Sequence, residues 1–93
     1  MANQDLDQIE KIREAYFLQG DDLIIKQIPK KHSKKFILFQ IVSEIFDKDR
    51  EYKEKEINEL LKPIYPDYCM VRRYLVDFGL LERTLDGSVY KRR

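Results

Sequence analysis

Residues 67–79 read DYCMVRRYLVDFG, and this stretch decides the fold. Its first residue, Asp67, has a short carboxylate side chain of the kind that caps the start of a helix. Apolar residues then recur at helical spacing and predict one inward face: Val71, Tyr74, Leu75 and Phe78. Gly79 supplies the left-handed residue that commonly ends a helix. We therefore expect a helix from about Asp67 to Phe78.

A β-hairpin is predicted directly after this helix. Leu80–Arg83 and Val89–Lys91 are two short runs that flank the turn sequence Leu85-Asp86-Gly87-Ser88. Asp-Gly is a favoured dipeptide in hairpin turns, because Gly adopts a positive φ without strain. The chain is therefore expected to end in two antiparallel strands.

Three further helices are predicted upstream. The first spans Asp5–Phe17, the second runs from a cap at Ser33 to about Phe46, and the third begins near Lys53 or Glu54 and ends at the Pro63–Pro66 region. Leu23–Ile28 is predicted to form a short strand or an extended arm.

The order of these elements predicts an α+β fold. We expect a mostly helical winged helix-turn-helix with a C-terminal β-hairpin wing and an extra N-terminal helix. Residues 1–27 would form the N-terminal amphipathic helix and arm, and residues 28–93 the winged-helix-like domain. A length of 93 residues leaves no room for two full domains.

Composition excludes several classes of protein. One Cys and one His exclude a disulfide framework and a zinc finger, so we expect no metal site and no cofactor. The most apolar stretch, Phe36–Phe39, is far shorter than the ~20 residues that span a bilayer, and the acidic N-terminus lacks the form of a signal peptide. A cytoplasmic protein without a membrane partner is expected.

The formal net charge of +1 conceals a strong separation of charge along the chain. Residues 1–25 carry two cationic and six anionic side chains, whereas residues 26–35 carry five cationic side chains and no anionic one. Residues 67–93 carry six cationic and four anionic side chains. Because cations grouped on one surface neutralise phosphates, we predict these nucleic-acid-binding residues: Lys30, Lys31, Lys34, Lys35, Arg72, Arg73, Arg83, Lys91, Arg92 and Arg93.

The outward face of the helix in residues 67–79 is poor in side chains that read bases. It presents Cys69, Val76 and Arg73, and Asp77 stands four residues after Arg73, which favours a local ion pair. We also expect one of the two adjacent arginines to bridge Asp77 to the hairpin and the other to be exposed.

Catalytic chemistry is not expected. His32 lies within a lysine-rich run, Cys69 has no His near it in sequence, and no phosphate-binding glycine loop is present. The acidic residues Glu54, Glu56 and Glu59 alternate with lysines, as on an ordinary solvated helix surface.

A longer pattern over about residues 28–93 resembles a known bacterial family. It consists of these segments: Ile28–Lys31, Phe46, Tyr52–Asn58, Asp67, Arg72–Arg83, Gly87 and Tyr90–Arg92. Together they resemble the domain of unknown function 2087, which occurs alone and within transcriptional regulators, sometimes behind a separate helix-turn-helix domain. The resemblance implies a role in regulation.

Two functions follow from these observations. The first is a DNA-binding transcription regulator or accessory that contacts mainly the phosphate backbone of duplex DNA. The second is a non-enzymatic protein–protein interaction or dimerisation module, in which another protein or a second copy of the chain contacts these predicted interface residues: Leu6, Ile9, Ile12, Tyr16, Cys69 and Val76.

Overall fold

Four helices and one small antiparallel sheet make up the protein, so the predicted α+β class is confirmed. The computed structural model describes the backbone of residues 2–93 and the side chains from residue 6 onward. The elements in chain order are α1 (Ala2–Tyr16), α2 (His32–Ser43), β1 (Glu51–Lys53), α3 (Glu54–Leu61), α4 (Tyr68–Asp77), β2 (Leu81–Arg83) and β3 (Val89–Arg92).

Helix α4 has the two ends that its sequence predicts. The Asp67 carboxylate accepts a hydrogen bond of 3.1 Å from the Met70 N–H and so caps the first turn. At the other end Gly79 has a φ of 74°, its N–H donates to the Val76 carbonyl, and the Leu80 N–H donates to the Leu75 carbonyl. This pair of bonds is the Schellman arrangement that satisfies the last carbonyls of a helix.

The predicted hairpin is β2 and β3, and it is joined by a strand that sequence reasoning missed. Strand β3 lies between β1 and β2, and Tyr90 pairs with Tyr52 on one side and Arg83 on the other. Gly87 has a φ of 73° in the turn, as its predicted role requires. Strand β1 fixes the hairpin against the start of α3, which follows it directly.

A single hydrophobic core joins the elements of residues 6–93. Its largest fully buried side chains come from α2, α3, α4, the turn after α2 and β2: Phe39, Phe46, Leu38, Ile57, Leu61, Leu75, Leu81, Val42 and Val71. Ile12 of α1 and Ile25 of the arm belong to the same cluster. The α1 helix and the arm therefore pack into the same core as the rest of the protein. Each Å² of apolar area that they bury there contributes ~25 cal/mol to the stability of the fold.

The second helix begins differently from the prediction. Lys31 is its N-cap and makes no side-chain capping bond, and Ser33 lies inside the first turn with its side chain exposed. The predicted Ser33 cap is therefore wrong. His32 packs on Phe78 of α4 with the ring centroids 5.1 Å apart, so a tertiary contact holds the start of α2. The helix ends at Ser43, and Phe46 follows in a turn.

Residues 23–28 form the extended arm and no regular strand. The arm makes one isolated antiparallel bridge, between Phe17 and Ile25, and the Ile25 N–H donates to the Ile64 carbonyl at 2.9 Å. Of the two alternatives left open by the sequence, the extended arm is the one observed.

Candidate nucleic-acid interface

The outward face of α4 forms one wall of an open groove, and the hairpin forms the other. Cys69 and Arg73 are exposed on this face, Val76 is half-buried, and Arg83 and Tyr90 face them from β2 and β3. The groove has a volume of about 550 Å³. Packing of Val71 and Leu75 in the core orients the helix so that this opposite side is left to solvent.

Arg72 is held within the fold. Its guanidinium donates a hydrogen bond to the Asn58 side-chain oxygen and lies 3.4 Å from a Glu54 carboxylate oxygen, both on α3. Only 19% of the Arg72 side chain is exposed. The expectation that one arginine of the pair is structural agrees with this geometry, but the expected bridge from Asp77 to the hairpin is wrong, because the partners lie on α3.

Arg73 is the other arginine of the pair, and it projects from the outward face. Among the side chains from residue 6 onward, neither Arg73 nor Arg83 makes an ion pair or a side-chain hydrogen bond. The predicted ion pair between Arg73 and Asp77 is therefore absent. Two guanidinium groups with free donors face the same groove.

The lysine run lies on the opposite flank of α4. Lys35 Nζ donates to Tyr74 Oη at 3.4 Å and lies 5.3 Å from the centre of that ring. Tyr74 and Val76 are two residues apart, which places them about 200° apart around the helix. The start of α2 thus borders one side of α4 while the hairpin borders the other.

The other three lysines of the run project into solvent. Lys30, Lys31 and Lys34 are exposed, and none of them pairs with a carboxylate among the side chains that the structure describes. Their charges are therefore available to an external anion.

The predicted cations at the C-terminus are mostly engaged by the protein itself. Arg92 Nη1 donates to the Phe46 carbonyl at 3.1 Å, and Arg93 Nε lies 3.0 Å from a Glu82 carboxylate oxygen. Lys91 is in register with Glu51 of β1 and Glu82 of β2, so two carboxylates are its cross-strand neighbours. These three residues are weaker candidates for binding phosphate than Lys31, Lys34, Arg73 and Arg83.

The predicted protein-interface stripe on α1 lies largely against its own chain. Ile12 is 4% exposed, Ile9 and Tyr16 pack against the core, and only Leu6 is mostly exposed, at 57%. Cys69 and Val76, the other two predicted interface residues, line the groove beside α4 instead. A partner would therefore meet little of the stripe.

The acidic residues of α3 are engaged in ion pairs. Within residues 6–93, no three or more His, Cys, Asp or Glu side chains are placed to hold a metal ion. Glu54, Glu56 and Glu59 pair respectively with Arg72, Arg50 and Lys62. The hydrogen bond from the Lys53 N–H, with a further contribution from Arg50, lowers the pKa of Glu56. In the described part of the chain, no helix has the length and apolar character needed to cross a membrane.

Sequence reasoning missed Asp67, Met70 and Tyr90 as groove-lining residues. The sequence predicts a helix cap at Asp67 and a hairpin strand at Tyr90, and neither prediction implies a groove. No local pattern identifies them, because the groove arises where the hairpin folds back beside α4.

One comparison with known proteins finds a family. Residues 24–92 match the model of a family described as uncharacterized protein conserved in bacteria, DUF2087. No curated protein and no solved structure matches the chain.

Proposed function

The chain belongs to the bacterial family of uncharacterized proteins DUF2087, and we propose that it binds duplex DNA as a transcription regulator or accessory. The order of α2, β1, α3, α4 and the hairpin is that of a winged helix-turn-helix. In helix-turn-helix proteins the second helix of the motif enters the major groove, and α4 holds that position here. The proposal places the protein in the cytoplasm, as a binding protein without catalytic activity.

The arrangement of cations around α4 is the observation that carries this proposal. Lys31 and Lys34 are exposed at the start of α2, next to Lys35, which contacts Tyr74 of α4, and Arg83 is exposed on the flank formed by the hairpin. A helix seated in a major groove has a phosphate backbone on each side. Cations on both flanks match that arrangement, although the net charge of the chain is only +1.

One group of acidic side chains lies away from α4, although Asp67 and Asp77 line the groove beside it. Asp21, Asp22 and Glu44 line a separate groove at the far end of α2 from the lysine run. Twelve helical residues separate the two ends by about 18 Å. Because of this separation, the electric field of the protein favours an orientation in which the lysine end of α2 and the outward face of α4 face a polyanion.

The proposal is tested by fluorescence anisotropy with a mixed-sequence DNA duplex at several salt concentrations. We expect binding that weakens as salt rises, because each neutralised phosphate releases about 0.9 counterion. Changing two lysines on the α4 flank, Lys31→Gln with Lys34→Gln, should reduce the magnitude of the logarithmic salt slope by about two.

A matched control variant removes the same amount of charge away from α4. Lys11 lies on α1 and Lys48 follows α2 at its opposite end, and both are exposed. The variant Lys11→Gln with Lys48→Gln should keep the slope of the unchanged protein. Absence of binding at low salt, or equal effects of the two variants, would contradict the proposal.

A specific observation also supports the second candidate function, a protein-interaction module. A groove of about 440 Å³ lies where the end of α1 and the arm meet α2; Leu18, 49% exposed, and the half-buried Leu23 line it. Its acidic rim suits a partner with an apolar and basic segment. Sedimentation of the intact chain at rising concentration tests whether that partner is a second copy.

A further inference from the structure

We propose that α4 reads DNA sequence, with Arg73 contacting a guanine and Val76 contacting the methyl group of a thymine in a neighbouring base pair. This inference rests on the proposed function and adds the bases that the same surface would select. It assigns sequence discrimination to two residues on the outward face of α4.

The first step is the contrast between the two adjacent arginines. The Arg72 guanidinium is engaged with Asn58 and Glu54, whereas Arg73 is exposed and has no side-chain partner among residues 6–93. A free guanidinium presents two parallel N–H donors, which match O6 and N7 of guanine in the major groove. Arg73 is therefore the residue of α4 that is suited to guanine.

The second step concerns the apolar residues beside Arg73. Cys69 and Val76 lie one turn before and nearly one turn after it. Both line the groove, and Val76 also packs in part against the hydrophobic core. Val76 is about 4.5 Å further along the helix axis, a little more than the 3.4 Å spacing of base pairs along each strand. The apolar group that a major groove offers is the thymine methyl, so Val76 is suited to a thymine next to the guanine.

The third step is the position of the negative charge. Asp77 is exposed one turn after Arg73 and makes no ion pair with it. A carboxylate repels phosphate but accepts a hydrogen bond from cytosine N4. The outward face of α4 thus suits base edges better than the backbone, and the phosphate contacts fall to the lysines and Arg83 on its flanks.

The test begins with selection of duplexes from a library with a random core, using the intact chain and its Arg73→Gln variant. We expect the unchanged protein to enrich a guanine with a thymine one base pair away. Arg73→Gln should lose the guanine preference and keep salt-dependent binding. Its thermal unfolding should match that of the unchanged protein, because Arg73 is exposed and unpaired.

Modified bases in the selected duplex then test each contact separately. Replacing the guanine by 7-deazaguanine removes N7 and should weaken binding at least about fivefold, whereas replacing thymine by uracil removes the methyl group and should weaken it about twofold to fivefold. The 7-deazaguanine replacement should not change the affinity of Arg73→Gln, and the uracil replacement should not change the affinity of Val76→Ala. Arg13→Gln, which changes an arginine of α1 that lies 3.7 Å from Glu44, is the control that should keep the full preference.

The outcomes separate this inference from the proposed function. Salt-dependent binding without any enriched sequence would overturn the readout by α4 and leave DNA binding intact. A guanine preference that persists in Arg73→Gln would overturn the role of Arg73. Absence of duplex binding by the unchanged protein at low salt would overturn both the inference and the proposed function.

Discussion

At the scale of single residues, the neighbours Arg72 and Arg73 have opposite environments. One guanidinium joins α4 to α3 through Asn58 and Glu54, and the other faces solvent at the groove. The 100° between consecutive helical residues is enough to turn one side chain toward α3 and the next away from it. Of two identical residues, one is therefore engaged within the fold and the other is left free for the binding that we propose.

This division predicts different effects of the same substitution at the two positions. Arg72→Gln should lower the free energy of unfolding by about 1 to 2 kcal/mol, because a charged hydrogen bond and an ion pair are lost. Arg73→Gln should change it by less than about 0.5 kcal/mol. Urea unfolding followed by circular dichroism measures both values, and equal losses would show that the contacts of Arg72 do not stabilise the fold.

At the scale of elements, the hairpin tip is ordered by one carboxylate. Asp86 Oδ1 accepts hydrogen bonds from Thr84 Oγ1 at 2.7 Å, Ser88 Oγ at 2.8 Å and Ser88 N–H at 3.0 Å. These bonds, that of Thr84 first, lower the pKa of Asp86 from 3.8 to about 2. Arg83 directly precedes this tip and pairs with Tyr90 in the sheet.

The lowered pKa of Asp86 predicts a pH dependence of stability. Because the pKa is lower in the folded chain, the carboxylate stabilises the fold fully above pH 3.8, and this contribution is lost as the pH falls toward about 2. The free energy of unfolding of the unchanged protein, measured in urea, should therefore fall more steeply over this pH interval than that of Asp86→Asn. Parallel curves for the two proteins would contradict the role of Asp86.

The elements differ in how far the sequence predicts them. Helix α4 and the hairpin carry local signals at their ends, namely Asp67, Gly79 and the Asp86-Gly87 turn, and they were predicted correctly. Strand β1 has three residues, and its state depends on pairing with β3, so that Tyr52 meets Tyr90 from far along the chain. Local propensity contains no such information.

The charged residues of the candidate site are also only partly predictable from the sequence. The sequence identified the lysine run and both arginines of α4, but it could not distinguish free cations from engaged ones. Arg72 meets Asn58 at a separation of 14 residues, and Arg92 meets the Phe46 carbonyl at a separation of 46. The tertiary fold alone brings these groups together, so the list of free cations follows only from the structure.

At the scale of the whole molecule, charge and apolar surface are divided between two grooves. The groove beside α4 is lined by three arginines and two aspartates, Arg72, Arg73, Arg83, Asp67 and Asp77, while the groove at the end of α1 combines Leu18 and Leu23 with an acidic rim. The first suits a polyanion and the second an apolar, basic segment of a protein. The two proposed functions therefore belong to different faces, and one binding map distinguishes them.

The most direct measurement is a map of amide and side-chain NMR shifts while a short mixed-sequence DNA duplex is added to the labelled protein. We predict the largest shifts at Lys31, Lys34, Arg73 and Arg83, with Leu18 and Leu23 unchanged. Arg73 lies on the outward face of α4, Arg83 lies on the hairpin beside it, and the two lysines lie at the start of α2, where Lys35 contacts Tyr74 of α4. Shifts concentrated at the acidic groove, or no shifts at low salt, would contradict binding of duplex DNA by α4 and its flanks.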